Sequence, residues 1–307
     1  MRIIFMGTPD FAVPTLKLLN ESIHDVVGVF TQPDKAVGRK QIITPPPVKA
    51  YATEHNLKVF QPKTLRDGSA FEIINELSPD IIVVVAYGKI LPNEILDFPK
   101  YKCVNGHASL LPRHRGASPI QWSIVCGDKI TGVSTQIMGE GIDTGDVLLS
   151  AETPISDDET AETLHDRLSQ MCAELILKTI GEIENNTIIP VKQNDELSNY
   201  APILTKEMGL VDFSKTATEI HNLVRGFYPW PSAYFILNGK RVKMLSTKIS
   251  DLSNETFGVV IKSDNELVVS CADNTSIELI KIQPEGSKPM LAVDYLKGHT
   301  LPVGLKL

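Results

Sequence analysis

An amide and an imidazole lie two residues apart in the segment 104–107 (VNGH), which continues an apolar run. On an extended strand this spacing places both side chains on one face. A second segment, 140–146 (EGIDTGD), carries carboxylates on a glycine-rich turn after another apolar run. Asn105, His107 and Asp143 together predict an acyl-transfer site. The alternative interpretation is a capped strand, a core histidine with satisfied ring nitrogens and an ordinary Asp-Gly turn.

The elements around these residues predict a parallel sheet. Residues 2–7 are an apolar run ending in glycine, and a helical pattern and a second apolar run at 25–31 follow, which is typical of a βαβ unit. The run 80–86 is apolar on both faces, as a central parallel strand is. We therefore expect an α/β fold whose N-terminal domain has a Rossmann-like, mostly parallel sheet. Since GxGxxG is missing, a dinucleotide cofactor is not indicated.

The composition changes after residue 190. Residues 191–207 are polar and irregular, and short alternating runs with tight turns follow the helix predicted at 216–225. Asn238-Gly239 is a strong hairpin pattern. We expect a catalytic domain at 1–190, a linker at 191–207 and a small OB-like β-barrel domain at 208–307.

Composition limits the class of protein. The chain has 307 residues, 42% hydrophobic and 22% charged, which is typical of a globular protein in solution. The apolar run at the N-terminus is too short for a signal peptide, and no apolar run has the length of a membrane span. The four cysteines are scattered without CxxC, and HExxH is missing, so a cytoplasmic protein without a metal is expected.

Charge is unevenly distributed along the chain. The net charge is −7, but bases greatly outnumber acids between residues 35 and 66. Within this segment, Pro45-Pro46-Pro47 favours extended backbone, so residues 32–49 are predicted to form a surface loop. The excess of basic residues in this segment favours a binding surface. The alternative interpretation is a solvated loop whose lysines have no binding role.

The motifs resemble a known family. Asn105-x-His107 followed by Ser109-Leu110-Leu111-Pro112, and the later segments 115–117 (RGA), 127–128 (GD) and 141–146 (GIDTGD), are similar to those of the formyltetrahydrofolate-dependent formyltransferases. Gly106 stands where a larger residue such as valine is common in that family.

Four further segments narrow the resemblance, which spans nearly all of the chain. Residues 5–12 (FMGTPDFA), 31–35 (TQPDK), 200–207 (YAPILTKE) and 229–231 (PWP) resemble the family members that act on initiator tRNA. The resemblance implies transfer of a formyl group from 10-formyltetrahydrofolate to the α-amino group of methionine on initiator tRNA, for translation initiation. The formyl donor is then a cosubstrate.

This reaction suits the three polar residues. Attack of the amine on the formyl carbon gives a tetrahedral intermediate with an oxyanion, to which the Asn105 amide can donate. His107 can donate as an imidazolium or relay the amine proton, and a nearby Asp143 carboxylate would favour the imidazolium and orient the ring. The sequence does not separate these roles. Direct attack needs no covalent intermediate.

The resemblance also implies binding residues and partners. The donor is expected on the segment Ser109, Leu110, Leu111 and Pro112, near Tyr87, Gly88, Ile90 and Leu91. Initiator methionyl-tRNA is expected to meet basic side chains in the loop and in the C-terminal domain, namely Lys35, Arg39, Lys40, Lys49, Lys240, Arg241 and Lys243. We expect a monomer without a membrane partner.

Other functions remain open at this point. Within the family, the acceptor could be a glycinamide ribonucleotide or an amino sugar nucleotide, or the enzyme could hydrolyse formyltetrahydrofolate. A Rossmann-type binding protein without turnover and a nicotinamide oxidoreductase are alternatives from other classes. The C-terminal domain and the basic loop favour the tRNA substrate.

Overall fold

A computed structural model describes residues 1–38 and 40–307. Contacts divide this part of the chain into two compact units. The first unit consists of Met1–Gly116, Ile130–Pro154 and His165–Ala201, and the second of Ala117–Lys129, Ile155–Leu164 and Pro202–Leu307. Two short inner segments thus belong to the unit that holds the C-terminal residues. The consecutive domains expected at 1–190 and 208–307 stay a prediction.

The elements are numbered in chain order over the described residues. The strands are β1 (Arg2–Gly7), β2 (Asp25–Phe30), β3 (Lys35–Val37), β4 (Ile42–Thr44), β5 (Val59–Phe60), β6 (Ile81–Val85), β7 (Cys103–His107), β8 (Arg115–Gly116), β9 (Ile130–Ile137), β10 (Val147–Pro154), β11 (Tyr200–Ala201), β12 (Ala233–Leu237), β13 (Lys240–Ser250), β14 (Val260–Ser263), β15 (Leu267–Ser270), β16 (Ser276–Pro284) and β17 (Met290–Leu291). The α-helices are α1 (Val13–Asn20), α2 (Pro47–Glu54), α3 (Ser69–Leu77), α4 (Asn93–Leu96), α5 (Pro119–Val125), α6 (Ala161–Glu184), α7 (Ala217–Gly226) and α8 (Ala292–Leu296). Single 3-10 turns lie at Asp10–Ala12, Asp195–Leu197 and Glu207–Gly209.

The first unit contains a sheet of seven strands among the described residues, in the order β10-β9-β7-β6-β1-β2-β5. Strands β7, β6, β1, β2 and β5 are parallel, and β9 runs antiparallel to β7. The predicted mostly parallel α/β sheet is confirmed. From β1 the chain first adds strands on one side and then, from β6, on the other. Ligands of open α/β sheets bind at the carboxyl ends of strands near such a reversal.

Burial explains the two central strands. Every residue of β6 is buried, and so is every residue of β1 after Arg2. On one face of the sheet, Ile82 and Val84 belong to the same apolar cluster as Ile74 of helix α3 and Leu91. Each fully buried aliphatic side chain of this kind contributes about 1.5–3 kcal/mol of transfer free energy. The sheet therefore forms a firm base for residues at the ends of β6 and β7.

Gly106 allows helix α6 to approach strand β7. A Cβ atom at this position would lie 2.5 Å from Cys172 Sγ and 3.4 Å from Ile176 Cδ1, both in α6. The face of β7 opposite Asn105 and His107 is thus closed by the helix. Gly106 thus serves the packing of this helix on the strand.

Gly106→Ala is expected to destabilise the fold by about 1–3 kcal/mol, because the added methyl group overpacks a tight contact. In the double variant with Cys172→Ala, the space left by the thiol should accept the methyl group and restore much of the loss. Thermal unfolding of both variants and of Cys172→Ala alone measures this. Equal melting temperatures of Gly106→Ala and the native protein would contradict the packing argument.

The basic loop predicted at residues 32–49 contains a short hairpin. Strands β3 and β4 pair antiparallel, with Lys35 opposite Thr44 and Ala36 opposite Ile43. The prolines that suggested an unpaired loop come after this hairpin, where Pro47 begins helix α2. Proline is favoured at the first helical position because its missing N–H would have no helical partner there.

The second unit has an antiparallel sheet in the described chain, with strand order β12-β13-β16-β15-β14 and β17 beside β16. Its core includes Phe235, Met244 and Ile277. Helix α7 begins with a capping box between Thr216 and Glu219. The predicted small antiparallel domain is confirmed. None of the helices in the described residues is long and apolar enough to cross a bilayer.

Candidate active site

Strand β7 presents Asn105 and His107 at the carboxyl-end edge of the sheet. Their alternation along the strand places them on the same face, as predicted. The neighbouring antiparallel strand β9 places Gln136 opposite Asn105, and Ser134 opposite His107. Asn105 is half-buried and His107 is 7% exposed. The two side chains are therefore held on a paired, largely buried strand.

Asp143 reaches the same edge from the turn at residues 139–146, which we call the Asp143 loop. Its φ of 53° is in the left-handed region, which aspartate tolerates better than most residues. The carboxylate Oδ1 accepts hydrogen bonds from Gln136 Nε2 at 2.9 Å and from Asn105 Nδ2 at 3.4 Å. Oδ2 accepts from the Gly116 backbone N–H at 2.9 Å and lies 3.6 Å from His107 Nδ1. The structure thus brings together the three residues predicted to be catalytic.

The His107 ring is fixed on its other side. Nε2 lies 2.9 Å from the His114 carbonyl oxygen. Since a carbonyl only accepts hydrogen bonds, Nε2 must carry the proton and donate. The neutral ring then has its free lone pair on Nδ1, the nitrogen that faces Asp143. Nδ1 is consequently the atom that can take up a proton, and Asp143 faces the cation that results.

Two glutamines hold Asp143, and the motif analysis did not identify either. Gln136 is 2% exposed, and its Nε2 donates to the carboxylate. Gln193 Nε2 donates to the backbone carbonyl oxygens of Asp143 and Gly145 at 2.9 and 2.7 Å. Gln136 could have been noticed as the one amide side chain in strand β9. Gln193 stands in a polar segment without periodicity, where nothing distinguishes it from the polar residues around it.

Cys103 is the cysteine on the same strand as Asn105 and His107. Burial raises the pKa of the Cys103 thiol, at the start of β7, to about 12. Since the thiolate is the reactive form, this cysteine is not a nucleophile near neutral pH. Within residues 1–38 and 40–307, no three His, Cys, Asp or Glu side chains are grouped to hold a metal ion.

Comparison with known proteins gives the family. The family model described as Formyl transferase matches residues 1–180. The model described as Formyl transferase, C-terminal domain, matches residues 203–300. The chain belongs to the formyl transferase family. The membership predicted from the motifs is thereby confirmed, and so is the expectation of a formyl-transferring enzyme.

Relatives and solved structures agree with this membership. The methionyl-tRNA formyltransferase of Caldanaerobacter subterraneus subsp. tengcongensis is 47% identical over 306 residues, covering 99% of this chain and 99% of that protein. The methionyl-tRNA formyltransferase of Alkaliphilus oremlandii is 48% identical over 305 residues, covering 99% and 98%. A sugar 3N-formyl transferase, solved in the presence of dTDP and 5-N-formyl-THF, has a TM-score of 0.70 at 21% identity and covers 94% of this chain and 99% of that chain. This last similarity shows a shared fold.

The residues expected to bind the formyl donor of this formyl transferase fall into two groups. Tyr87 and Gly88 follow β6, and their carbonyl oxygens accept hydrogen bonds from Gln32 Nε2 at 3.2 and 3.1 Å. The Tyr87 ring is buried in the core, and burial raises its pKa to about 12. Ile90 is 66% exposed, whereas Leu91 is 3% exposed and packs in the same cluster as Tyr87. In this group Ile90 alone presents a largely exposed side chain.

The segment Ser109–Pro112 is shaped by internal hydrogen bonds. Ser109 is fully buried, and its hydroxyl donates to the Arg113 carbonyl oxygen at 2.6 Å. The Ser134 hydroxyl donates to the Ser109 carbonyl oxygen at 2.8 Å and accepts from the Leu111 N–H at 3.1 Å. The Ser109 side chain therefore holds the turn. Leu110, Leu111 and Pro112 are half-buried and keep accessible surface.

The basic residues expected to bind tRNA in the segment 35–49 differ in their surroundings. Lys35 and Lys40 are exposed, and Arg39 lies outside the described residues. Lys49 Nζ instead contacts both Asp34 carboxylate oxygens and Gln61 Oε1, each at 2.8 Å. These hydrogen bonds from Lys49 and Gln61 hold the pKa of Asp34 below its usual value. All three ammonium protons of Lys49 thus have acceptors within the protein, and its role as a phosphate contact stays a prediction.

The basic residues of the second unit that are expected to bind tRNA lie at the start of β13. Lys240 and Arg241 are exposed, and Lys243 is half-buried. The Arg241 guanidinium lies 4.0 Å from the centroid of the Tyr234 ring, which is a cation–π contact. Arg241 and Lys243 also line a surface groove of about 450 Å³. The three cations thus share one region of the second unit.

Proposed function

We propose that the protein transfers the formyl group of 10-formyltetrahydrofolate to the α-amino group of methionine esterified to initiator tRNA. The observation that carries this proposal is the convergence of Asn105, His107 and Asp143 at one sheet edge. Full-length relatives named methionyl-tRNA formyltransferase, at 47 and 48% identity, support the choice of acceptor. One chain supplies all three residues, which fits the proposed monomer.

The proposed chemistry begins with attack of the neutral amine nitrogen on the formyl carbon. A C–N bond forms, and the C=O π electrons move to oxygen, where an Asn105 N–H donates to the oxyanion. His107 Nδ1 takes the proton that the amine nitrogen loses, and Asp143 at 3.6 Å stabilises the imidazolium. The oxyanion electron pair then re-forms the C=O bond, the bond between the formyl carbon and N10 of the donor breaks, and the His107 proton passes to N10. The histidine returns to its neutral form, so the step is balanced.

The donor would bind beside this edge. The exposed Ile90 and the half-buried Leu110, Leu111 and Pro112 offer apolar surface for a flat ring. Backbone groups near Tyr87 and Gly88 would contact its polar rim. Ser109 and Leu91 support this wall from inside, since both are buried.

The acceptor would be held by cations on both units, within a catalytic domain at 1–190 and a tRNA-binding domain at 208–307. We propose phosphate contacts from Lys35, Arg39 and Lys40, and from Lys240, Arg241 and Lys243. Such contacts set affinity and position without reading bases.

A formyl-transfer assay with purified protein, 10-formyltetrahydrofolate and charged initiator tRNA tests the proposed function. We expect formylmethionyl-tRNA, with no product from free methionine or from uncharged tRNA. A dTDP-amino sugar and a glycinamide ribonucleotide serve as competing acceptors. Preferential formylation of either small amine, or release of formate without an acceptor, would overturn the proposal.

The double variant Arg39→Gln, Lys40→Gln is expected to weaken tRNA binding and to flatten its salt dependence. Each phosphate contact contributes about 0.9 to the slope of log K against log salt, so the slope should fall by about 1–2. Binding titrations over a range of salt concentrations measure the slope. Lys17→Gln, Lys178→Gln, which removes two exposed charges from helices α1 and α6, is the matched control. Equal slopes in the two double variants would contradict an electrostatic contact at the hairpin.

A further inference from the structure

Gln193 lies between the Asp143 loop and strand β8, and every hydrogen-bonding group of its amide has a partner. The two Nε2 protons go to the carbonyl oxygens of Asp143 and Gly145, at 2.9 and 2.7 Å. Oε1 accepts from Arg115 Nε at 3.0 Å and from Arg115 Nη2 at 2.8 Å. The side chain is 9% exposed. A buried amide satisfied in this way fixes the groups around it in one arrangement.

The groups around Gln193 are themselves anchored. Arg115 Nη2 forms an ion pair with Asp195 Oδ1 at 2.8 Å, in the 3-10 turn that follows Gln193. The Arg115 backbone N–H donates to the Asn199 carbonyl oxygen at 3.1 Å, and β8 pairs with β11. Segment 193–201 is therefore joined to β8 by side-chain and backbone contacts along its length.

Strand β8 and the residue before it contact both of the ionisable residues of the site. The Gly116 N–H donates to Asp143 Oδ2, and the His114 carbonyl oxygen accepts from His107 Nε2. Asn199 Oδ1 in turn accepts from the His114 N–H at 2.5 Å. Gln193, Asp195 and Asn199 thus form a supporting layer behind His107 and Asp143.

We infer that Gln193 is a positioning residue, which fixes the backbone of the Asp143 loop so that the Asp143 carboxylate faces Asn105 and His107. This inference rests on the proposed function. A left-handed φ of 53° at Asp143 is an unfavourable conformation that surrounding contacts must maintain. The two carbonyl oxygens that Gln193 binds lie on either side of Thr144, so this one side chain spans the turn.

Two substitutions separate the contacts of Gln193. Gln193→Met keeps the length of the side chain and removes every hydrogen bond. Gln193→Glu keeps acceptors for Arg115 but sets carboxylate oxygens against the carbonyls of Asp143 and Gly145. Both variants are expected to lose about 10–100-fold in kcat, with KM for both substrates within about threefold of the native value. Glu196→Gln, an exposed change in the same turn, should leave kcat unchanged.

A double-mutant cycle with Asp143→Asn tests whether Gln193 acts through Asp143. Single-turnover rates with excess enzyme make the slow variants measurable. If Gln193 acts through the carboxylate, Gln193→Met should lower the rate by less than about threefold in the Asp143→Asn background, since coupled residues are not additive. Equal rate losses in both backgrounds, or an unchanged kcat of Gln193→Met or Gln193→Glu, would overturn the inference.

Hydrogen exchange supplies a readout that does not depend on activity. In Gln193→Met, backbone amides of residues 139–146 should exchange faster, while those of β1 and β6 keep their native protection. Unchanged exchange in the Asp143 loop would contradict the positioning role. If the native protein fails to formylate methionyl-tRNA, the proposed function fails, and the exchange result alone then decides whether Gln193 holds the loop.

Discussion

Asn105→Ala is expected to fold normally and to lose about 10²–10³-fold in kcat, the usual effect of removing one donor to an oxyanion. Asn105 Nδ2 is 3.4 Å from Asp143 Oδ1, which is a long hydrogen bond, so the amide can shift toward a stronger acceptor when charge develops. The interaction is made chiefly in the transition state. KM for both substrates should therefore change little. Steady-state kinetics with charged initiator tRNA measures both parameters.

The control for this experiment is the same substitution at Asn75, which is exposed on helix α3. It removes an amide from the same unit without touching the site. Melting temperatures of the two variants test whether Asn105→Ala is folded. A kcat within a few-fold of the native value would show that Asn105 does not stabilise the reacting group.

The sequence was sufficient where local periodicity determines position. Asn105 and His107 share a face because a strand alternates, and a strand that ends at a sheet edge leaves its last polar side chains there. The Asp143 turn follows from its glycines and its position after an apolar run. The apolar run at β6 likewise predicted a central parallel strand, since both of its faces must be buried.

The sequence was insufficient where position depends on a distant partner. Tyr200 pairs with Arg115 across 85 positions of the chain, and two-residue strands such as β8 and β11 have no periodicity of their own. Gln193 reaches Arg115 only when these two segments come together in the fold, and its polar surroundings in the sequence do not predict this contact. The contacts of Lys49 were not predicted for a related reason, because its partners Asp34 and Gln61 meet it only in the folded chain.

Asp143→Asn should have the larger effect, a loss of about 10³–10⁴-fold in kcat, as expected where an amide replaces the buried carboxylate of a His–Asp pair. The Asp143 carboxylate accepts from the Gly116 N–H on one oxygen and from Gln136 Nε2 on the other, each at 2.9 Å. An asparagine has only one acceptor oxygen. Whichever way it is oriented, its NH₂ group must face one of these donors.

The amide of this variant disturbs a different contact in each of its two orientations. The amide is neutral in both orientations, so the imidazolium loses its counter-charge in each. If the NH₂ group faces Gly116, it also sets its N–H groups against His107. If the NH₂ group faces Gln136, it repels the amides of Gln136 and Asn105, and the oxyanion donor is displaced. Both arrangements lose the counter-charge, and each also misplaces a neighbouring group, so the rate loss depends on geometry as well as on charge.

Asp146→Asn is the matched control for this prediction, because it makes the same chemical change at an exposed position of the same loop. Its kcat should stay within about twofold of the native value, since isolated surface charges contribute little. Asp143→Glu keeps the charge but displaces the carboxylate by one methylene group, so it should lose activity as well, because the Gly116 and Gln136 hydrogen bonds at 2.9 Å fix where the oxygens must lie. Single-turnover rates compare the three variants. A rate of Asp143→Asn within about tenfold of the native rate, similar to the rate of Asp146→Asn, would contradict the prediction. The Asp143 carboxylate would then have no part in the proton transfer, and His107 would have to act without a counter-charge.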